Sequence, residues 1–549
     1  MVANAQLMEG KETFTKADTL RGSNNANRDW WDVLRYDIIV HPNYKNKTIE
    51  GSCGLKFKVI KVGSTMQIDL QDSLIIDRIW LYPSANSQSK KNIPLKFSKK
   101  DGVYLVSGEF VNQNEKIEIQ YHGKPREAVK PPWDGGWVWA KDSLGNPWMS
   151  VACQGLGASS WFPCKDIQSD EPDSGFSLEI SYPDSLYGIG NGREKIMYDK
   201  NGDTTSSVKG GASLWSVKNP INNYDIIPYI GKYTNFTDTL MGEGGKLDLS
   251  YWVLTYNLDK AKKEFTQVKP MLQCFEHWFG KYPFYEDSYK LVEAPYLGME
   301  NQSDIAYGNG YQNGYHGTDL SSSGWGLKWD FIIVHESAHE WWGNSITSKD
   351  IADMWIHESF ANYAETLYTE WLFGKEAGDD YCVGTRKRIL NDKPIIGPYG
   401  VNKEGSGDMY YKGGNMINNI RNVINNDTLF RKILRGLNSK FYHQTVTTNQ
   451  IENYIKIQSG IDFQKVFDQY LHTTQIPKLV YSIDNETMLL TAHWTNCVDG
   501  FNMPITIPIT SRRLAITTEK QSFSLTPEEV EWFTNKNLLR KYYIQASSF

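Results

Sequence analysis

Two histidines stand four residues apart in an apolar segment of this 549-residue chain, in the stretch IIVHESAHEWWGN at residues 332–344. On an α-helix this spacing places His335 and His339 one turn apart on the same face. Their imidazole rings can then converge on one metal ion, which is the physical basis of the H-E-x-x-H pattern. The segment is therefore predicted to be a buried helix with a metal-binding face.

A third metal ligand is predicted from a second apolar segment, DMWIHESFANYAE at residues 353–365. Its Glu358 follows His339 after an 18-residue spacer, and a carboxylate is costly to bury among apolar residues unless it is paired or bound to a metal. Two histidines and one glutamate are an established set for catalytic zinc, which keeps one position open. We therefore predict one Zn2+ per chain, bound by His335, His339 and Glu358. Glu336 would be the base that takes a proton from the zinc-bound water.

The hydrophobic pattern divides the chain into three regions. In residues 1–237, segments such as GLKFKVI and EKIEIQYH alternate apolar and polar residues, which predicts a mostly antiparallel β-domain. Within it, the polar residues 1–28 are predicted to form an extended arm. Residues 238–475 have helical apolar spacing and contain the predicted metal site. Alternation returns in KLVYSID and TMLLTAHW, so residues 476–549 are predicted to form a small β-module.

Composition and charge argue against several partners. The formal net charge of −6 comes with no polybasic segment, so no nucleic-acid binding is expected. No stretch approaches the roughly 20 apolar residues that a membrane span requires.

Ala3-Asn4-Ala5 resembles the end of a signal-peptide cleavage site, which suits a periplasmic or secreted protein, although an ordinary chain terminus would look the same. Among the six cysteines, Cys153 and Cys164 are close enough in sequence to pair, with buried free thiols as the alternative.

Several further motifs, all in the same order, resemble one family. HESAH with WWGN and the later glutamate, YLGMEN at 296–301 and YYKG at 410–413 are similar to motifs of the M1 metallopeptidases, gluzincins of the aminopeptidase N and leukotriene-hydrolase type. Cys153-Gln154 and WFPCKD at 161–166 are similar to the family's stretch between the β-domain and the active site. The resemblance implies an α+β multidomain fold. It would have an N-terminal antiparallel, saddle-like β-domain, a thermolysin-like, mainly helical catalytic domain and a small C-terminal β-sandwich.

The resemblance also implies roles for further residues. Glu300 would bind the free α-amino group of a substrate, with Gln154 beside it, because a buried ammonium needs a carboxylate partner. Gly298 and Met299 would offer backbone groups to an extended substrate. Tyr410 would donate a hydrogen bond to the oxyanion that forms when the peptide bond is attacked. Peptides with a free N-terminus are thus the expected partners.

The sequence also departs from the family pattern. Leu297 stands where the exopeptidase motif usually has its first glycine, and His357 and Ser359 flank Glu358 where Asn and Gly are common. Adjacent helical residues point about 100° apart, so His357 is expected to lie outside the metal site. Asn362, one turn after Glu358, is expected to hydrogen-bond a ligand histidine. Longer members carry a C-terminal helical domain over the active site; the sequence ends after the β-module, so a more open cleft is expected.

The leading hypothesis is a zinc aminopeptidase that acts at the N-termini of peptides. A thermolysin-like endopeptidase is the alternative among peptidases, and GMEN argues against it because an anionic amine subsite disfavours a continuing chain. A catalytically inactive homologue that binds peptides or partner proteins is a third hypothesis, against which the complete set of ligands, base and tyrosine argues. A lipid epoxide hydrolase is left open. A monomer is expected, with a homodimer as the alternative.

Overall fold

The computed structural model describes residues 14–71, 73–83, 91–183, 185–195, 211–535 and 537–548. The predicted cleavage site at Ala3-Asn4-Ala5 lies outside the described residues. Within them, strands dominate the N-terminal part, helices dominate the central part, and strands return near the C-terminus. The prediction of a mixed α+β fold is confirmed.

Over its described residues, the N-terminal part is built from three sheets. An eight-stranded sheet has the order β13-β14-β11-β1-β2-β8-β4-β5, a four-stranded sheet the order β12-β15-β10-β9, and a three-stranded sheet the order β3-β7-β6. The strands are β1 Trp31–Asn43, β2 Thr48–Val59, β3 Thr65–Ile68, β4 Leu74–Leu81, β5 Ile93–Pro94, β6 Lys96–Lys100, β7 Val103–Ser107, β8 Asn114–Gly123, β9 Gly136–Lys141, β10 Pro147–Ala152, β11 Phe176–Tyr182, β12 Tyr187–Ile189, β13 Arg193–Lys195, β14 Gly211–Val217 and β15 Tyr229–Gly231.

Period-two alternation explains why these segments form half-buried strands. In β1, Tyr36, Ile38 and Val40 are buried, whereas the residues between them are partly exposed. β1 pairs antiparallel with β2 and in parallel with β11. Side chains that point to opposite faces at successive positions therefore place one apolar row of each strand in the core.

The central part has its own sheet beside a group of helices. Its order is β16-β17-β18-β20-β19, and a short parallel pair joins β21 to β22. The strands are β16 Tyr233–Gly242, β17 Gly245–Leu254, β18 Tyr289–Glu293, β19 Gly298–Met299, β20 Ile305–Tyr307, β21 Ile346–Ser348 and β22 Gln444–Val446. The helices are α2 Leu258–Glu264, α3 Val268–Phe279, α4 Phe331–Ala338, α5 Trp355–Phe373, α6 Lys375–Thr385, α7 Tyr411–Ile424, α8 Asp427–Lys440, α9 Thr448–Ser459 and α10 Gln464–His472. The predicted boundary after residue 237 falls inside β16.

The five-stranded sheet lies between two hydrophobic cores. Leu291 and Ile305 belong to a core that the central helices share with the C-terminal module. Val292 and Ala306, the next residues along β18 and β20, belong to the core of the N-terminal β part. Because successive residues of a strand face opposite sides, both cores are fixed to one sheet. That sheet also carries β19, which contains Gly298 and Met299.

The C-terminal module contains two sheets and two helices. The sheets have the orders β27-β24-β23-β28 and β25-β26. The elements are β23 Lys478–Asp484, β24 Leu489–Thr495, β25 Ile505–Ile507, β26 Arg512–Leu514, β27 Gln521–Ser524, α11 Pro527–Thr534, α12 Asn537–Lys541 and β28 Gln545–Ser548. The strand pattern did not predict α11, although Thr526 and Glu529 form a capping box around a proline at its start.

The prediction of an extended arm over residues 1–28 is wrong for part of that segment. Helix α1, Lys16–Gly22, begins after Thr15, whose hydroxyl accepts from the amide of Asp18 while the Asp18 carboxylate accepts from the amide of Thr15. This reciprocal cap satisfies amide groups that a short helix otherwise leaves unpaired. A polar composition therefore did not mean an extended chain here.

The described residues form neither a membrane-spanning helix nor a disulfide. Among them, no helix combines the length and the apolar character that a bilayer crossing requires. All six cysteines are free, and Cys153 and Cys164 are both buried. The sequence left open whether Cys153 and Cys164 form a disulfide or are buried free thiols, and the structure has buried free thiols.

A buried lysine ties the central sheet to the N-terminal part. The Lys290 ammonium on β18 donates to the carbonyls of Gly190 (2.6 Å) and Gly192 (2.9 Å) and lies 3.4 Å from Asp304 Oδ1. Lys290 and Asp304 are both buried. Since a buried charge is tolerated only when it is paired and hydrogen-bonded, this contact is expected to hold the two parts in register.

Replacing Lys290 with Met is expected to lower the free energy of unfolding by about 3–5 kcal/mol, because Asp304 and two carbonyls lose their buried partner. Urea denaturation followed by circular dichroism measures the loss. Lys232→Met removes the same charge from an exposed position and is the matched control. Similar losses in the two variants would contradict a role for the buried contact.

Candidate active site

Helix α4 delivers both histidines of the H-E-x-x-H motif to one place. It begins after Asp330, whose carboxylate accepts from the amides of Ile332 (3.0 Å) and Ile333 (3.3 Å). His335 lies inside the helix, and His339 continues it with helical backbone angles. Both side chains are buried, and the His335 ring stacks on Phe331. The helix is thus capped and packed where the sequence predicted it.

Three donor atoms converge at the end of this helix. His335 Nε2 lies 3.3 Å from His339 Nε2, and Glu358 Oε2 lies 3.5 Å and 3.4 Å from those two nitrogens. Zinc–nitrogen bonds of about 2.0–2.1 Å in tetrahedral geometry give ligand–ligand separations of roughly 3.3–3.4 Å. The three atoms therefore lie as far apart as the corners of one coordination tetrahedron.

The hydrogen bonds behind the rings orient the lone pairs toward this point. His339 Nδ1 donates to the carbonyl of Trp342 (2.9 Å), which can only accept, and His335 Nδ1 donates to Glu365 Oε1 (2.8 Å). In each neutral ring the Nε2 atom is then an acceptor. Two such nitrogens and a carboxylate repel one another in a buried site unless a cation lies among them. The residues present therefore fit a divalent metal ion.

The electrostatics of the cluster point the same way. Burial favours a neutral His339, but the charge of Glu358 and its hydrogen bond outweigh it and raise the pKa of His339 to about 9. Burial likewise disfavours the Glu358 carboxylate, yet His339 and His335 hold its pKa below the usual range. The cluster thus attracts positive charge, which a metal supplies without a proton.

Glu336 lies beside the metal ligands and faces β19. A Cβ at Gly298 would come within 2.8 Å of Glu336 Oε1 and within 2.9 Å of Ile332, so only glycine lets strand and helix approach this closely. Burial raises the pKa of Glu336 to about 7, while His335 opposes that shift. Donor atoms of Glu300, Glu336 and His339 all lie within 4.8 Å of one another.

Glu300 is fully buried and is contacted from the N-terminal part. Gln154, just beyond β10, donates an amide hydrogen bond to Glu300 Oε1, and the Tyr224 hydroxyl donates to the same oxygen over 3.2 Å. Within the described residues, Glu300 Oε2 has no hydrogen-bond partner. Burial raises the pKa of Glu300, and His339 opposes the shift. Gln154 is expected beside Glu300 from the sequence, whereas Tyr224 is not, since no local motif marks Tyr224.

Tyr410 closes the other side of the cluster. Its ring stacks on His335 with centroids 5.9 Å apart, and its hydroxyl has no hydrogen-bond partner among the described residues. Burial and the charges of Glu358 and Glu300 raise the pKa of Tyr410, so the phenol stays protonated. It remains available as a hydrogen-bond donor.

Residues 263–470, which contain both helices of the metal cluster, match the model of the peptidase family M1 domain. The chain carries an M1 domain.

Relatives of known name match beyond the M1 domain. Probable aminopeptidase 2 of Sulfurisphaera tokodaii is 20% identical over 518 residues, which are 90% of this chain and 61% of that protein. A second probable aminopeptidase of that organism is matched over 52% of its length. Leukotriene A-4 hydrolase of Xenopus laevis is 21% identical over 516 residues, 87% of this chain and 78% of that one. The chain therefore spans little more than half of the two probable aminopeptidases.

The fold is also that of solved structures. An M1 zinc metallopeptidase from Deinococcus radiodurans superposes with a TM-score of 0.66 at 17% identity, covering 83% of this chain and 97% of that chain. The same metallopeptidase has been solved as a mutant bound to a Tyr-Ser-Ala substrate, with a TM-score of 0.64 over 82% of this chain. At this identity the likeness shows the fold.

Positions where the M1 domain departs from the common motif have structural explanations. Ser359 donates to the carbonyl of Met409 (2.6 Å), and a Cβ at Gly413 would come within 1.8 Å of Ser359 Oγ. The serine thus fixes the chain just before Tyr410. His357 accepts from the amide of Ser348 (2.7 Å) and lies outside the cluster of ligand atoms.

One sequence prediction about the M1 domain is wrong. Asn362 does not contact a ligand histidine; its amide donates to both oxygens of Glu365 (3.2 and 3.1 Å). Glu365 in turn contacts His335 and accepts from the Tyr381 hydroxyl (2.7 Å). Glu365 lies seven residues after Glu358, two turns along the same helical face, and that spacing is the signal that could have identified it.

Glu365→Gln in the M1 domain is expected to weaken Zn2+ binding about 10–100-fold, because the carboxylate that orients His335 is lost. Competition with a chromogenic chelator measures the affinity. Asn362→Ala, one contact further from the metal site, is the matched control and is expected to have a much smaller effect. Equal losses in both variants would contradict the assigned order of contacts.

Proposed function

We propose that this protein is a zinc aminopeptidase that hydrolyses the N-terminal peptide bond of peptides. The observation that carries the proposal is the distance between the acidic group of GMEN and the metal cluster. Glu300, Glu336 and His339 offer donor atoms that all lie within 4.8 Å of one another. An amine bound at Glu300 would therefore sit one amino-acid residue away from a carbonyl at the metal site.

The size of an amino acid makes this distance decisive. The α-nitrogen and the carbonyl carbon of one residue are separated by a single Cα, a span of about 2.5 Å by standard bond lengths. Glu300 is thus close enough to hold the amine while the carbonyl of the same residue reaches His339 and Glu336. A longer distance between Glu300 and the metal cluster would suit an enzyme that releases dipeptides. A site without an acidic residue at this position would suit an endopeptidase.

Glu300 has the properties that an amine subsite needs. It is buried, one oxygen is oriented by Gln154 and Tyr224, and the other is unpartnered among the described residues. A substrate ammonium can supply the missing charge-assisted hydrogen bond, which is roughly twice as strong as a neutral one. An acylated or continuing chain brings no charge and leaves the carboxylate uncompensated.

The remaining residues can carry the chemistry of peptide hydrolysis. Zn2+, when held by His335, His339 and Glu358, supplies Lewis acidity that makes water more acidic and polarises a carbonyl. Glu336 takes the proton of the attacking water and delivers it to the leaving amine, a role suited to a group whose pKa burial raises to about 7. Tyr410 donates its phenol hydrogen to the oxygen that becomes negative in the transition state.

The edge of the central sheet can align the substrate. β19 is the last strand in the order β16-β17-β18-β20-β19 and therefore forms one edge of that sheet. It holds Gly298 and Met299, immediately before Glu300. An extended peptide can add to such an edge through backbone hydrogen bonds, which bind without demanding a particular side chain.

The names of the relatives support the same activity. Two are called probable aminopeptidases, and the matching solved structures are called M1 zinc metallopeptidases, one of them with a tripeptide substrate. The hypothesis of an inactive homologue is disfavoured because the three ligands, Glu336 and Tyr410 all lie around one point.

Glu336→Gln is expected to keep stoichiometric Zn2+ and to lower kcat by about 10²–10⁴-fold, since the metal ligands are intact while the proton acceptor is lost. Metal analysis and hydrolysis of aminoacyl anilides give the two readouts. Glu340→Gln is the matched control: burial raises the pKa of Glu340 to about 8, so the neutral amide resembles its state at pH 7. Full turnover by Glu336→Gln would remove Glu336 as the base.

Free aminoacyl anilides are expected to be cleaved and their N-acetylated forms left intact. Glu300→Gln should lower kcat/KM on the free substrates by about 10–100-fold, the value of one charge-assisted hydrogen bond. Glu171→Gln is the control, because burial raises the pKa of Glu171 to about 8 and its carboxyl is largely neutral at pH 7. Equal cleavage of free and acetylated substrates would overturn the aminopeptidase proposal and favour an endopeptidase.

A further inference from the structure

A cavity that none of the candidate metal ligands lines borders the segment that follows α4. Its volume is about 960 Å³, and it opens between the end of α3 and one face of α8. Trp341 and Ser345 form part of its wall. The same short segment contains Trp342, whose carbonyl holds His339, and Asn344, whose amide donates to the carbonyl of Glu300 (2.8 Å). The cavity and the catalytic site thus both border the segment 341–345.

The lining of this cavity is strongly cationic. It contains the side chains of Lys281, Arg431, Lys432 and Arg435, with Glu243 as the one carboxylate. The Glu243 carboxylate is paired with Arg435, which donates to both of its oxygens over 2.9 and 2.7 Å. The other three cations face the cavity on a chain whose formal net charge is −6. A cleft lined by one sign of charge concentrates ligands of the opposite sign.

Arg431 contributes a half-buried guanidinium to this lining. Its Nη1 atom lies 2.7 Å from His277 Nε2, and among the described residues it has no acidic partner. Burial and the charges of Arg431 and Arg435 lower the pKa of His277, so this imidazole is a neutral acceptor rather than a counter-ion. A guanidinium has five N–H donors in a fork that matches an oxyanion, and most of those of Arg431 remain available.

The neighbouring cations are available as well. Lys432 is exposed one residue further along α8, and no ion pair involving it is found among the described residues. The Lys281 ammonium lies over the rings of Tyr285 (5.8 Å) and Tyr442 (5.9 Å), contacts that leave its N–H donors free. Three cationic side chains without a carboxylate partner among the described residues therefore line the same cavity.

The size and the remaining walls indicate what carries that oxyanion. Binding sites for small organic molecules have volumes of about 300–1,000 Å³, far more than a bare ion fills. Tyr442, whose side chain is exposed, gives aromatic surface beside the cationic groups. We propose that this cavity is a second binding site, for a small organic molecule whose phosphoryl or carboxylate group is held by Arg431, Lys432 and Lys281.

Equilibrium dialysis of the zinc-loaded full chain with radiolabelled inorganic phosphate tests this site. The labelled phosphate is expected to bind. Phenyl phosphate is expected to displace it at a lower concentration than unlabelled phosphate does. Competition by succinate shows whether a carboxylate is held by the same groups. The double variant R431Q/K432Q is expected to weaken phosphate binding by at least about tenfold, the effect of losing charge-assisted contacts. An unchanged thermal unfolding midpoint shows that the variant is folded.

The control is K262Q/R513Q, which removes the same two charges from exposed positions away from the cavity and is expected to bind phosphate as the wild type does. Phosphate bound at the zinc site instead would be retained equally by wild type, R431Q/K432Q and the control, and that result would overturn the proposal. A lack of phosphate binding in the wild type would overturn it too.

Discussion

Two imidazole nitrogens and a carboxylate oxygen point at one another across 3.3–3.5 Å in the interior of this protein. Hydrogen-bond acceptors repel one another at this distance, so they stay this close only when other contacts fix the side chains that carry them. Trp342 and Glu365 fix the two rings from behind, and the Asp330 cap fixes the helix that carries them. Much of the central part can be understood as the framework that keeps this unfavourable arrangement in place until a cation relieves it.

The five-stranded sheet provides the second constraint. Its two faces belong to different cores, so the position of β19 relative to α4 depends on packing from both sides. Gly298 allows the closest approach, and Lys290 adds a buried electrostatic contact to the N-terminal part. The edge strand, the acidic residue after it and the metal cluster are therefore positioned together.

The sequence allows predictions chiefly for those features that depend on residues near one another in the chain. His335, Glu336, His339 and Glu358 could be named because helical spacing alone brings the first three together, and burial cost identifies the fourth. Contacts made across the fold were harder: Tyr224 approaches Glu300 from another core, and no spacing rule reveals it. The role predicted for Asn362 was wrong because Asn362 lies one turn after Glu358, whereas the residue that contacts His335, Glu365, lies two turns after it. Helix α11 carried a readable capping signal that strand alternation obscured.

The contact of Gln154 and Tyr224 with Glu300 joins two bodies of the protein, whereas the metal ligands all come from one. Sliding the N-terminal β part away from the central helices would strip Glu300 of both donors and leave the metal cluster whole. Under the proposed function, hydrolysis of the peptide bond and recognition of the substrate's α-amine would therefore depend on different parts of the molecule. Loosening the contact between those parts would then weaken the preference for free N-termini before it abolished hydrolysis.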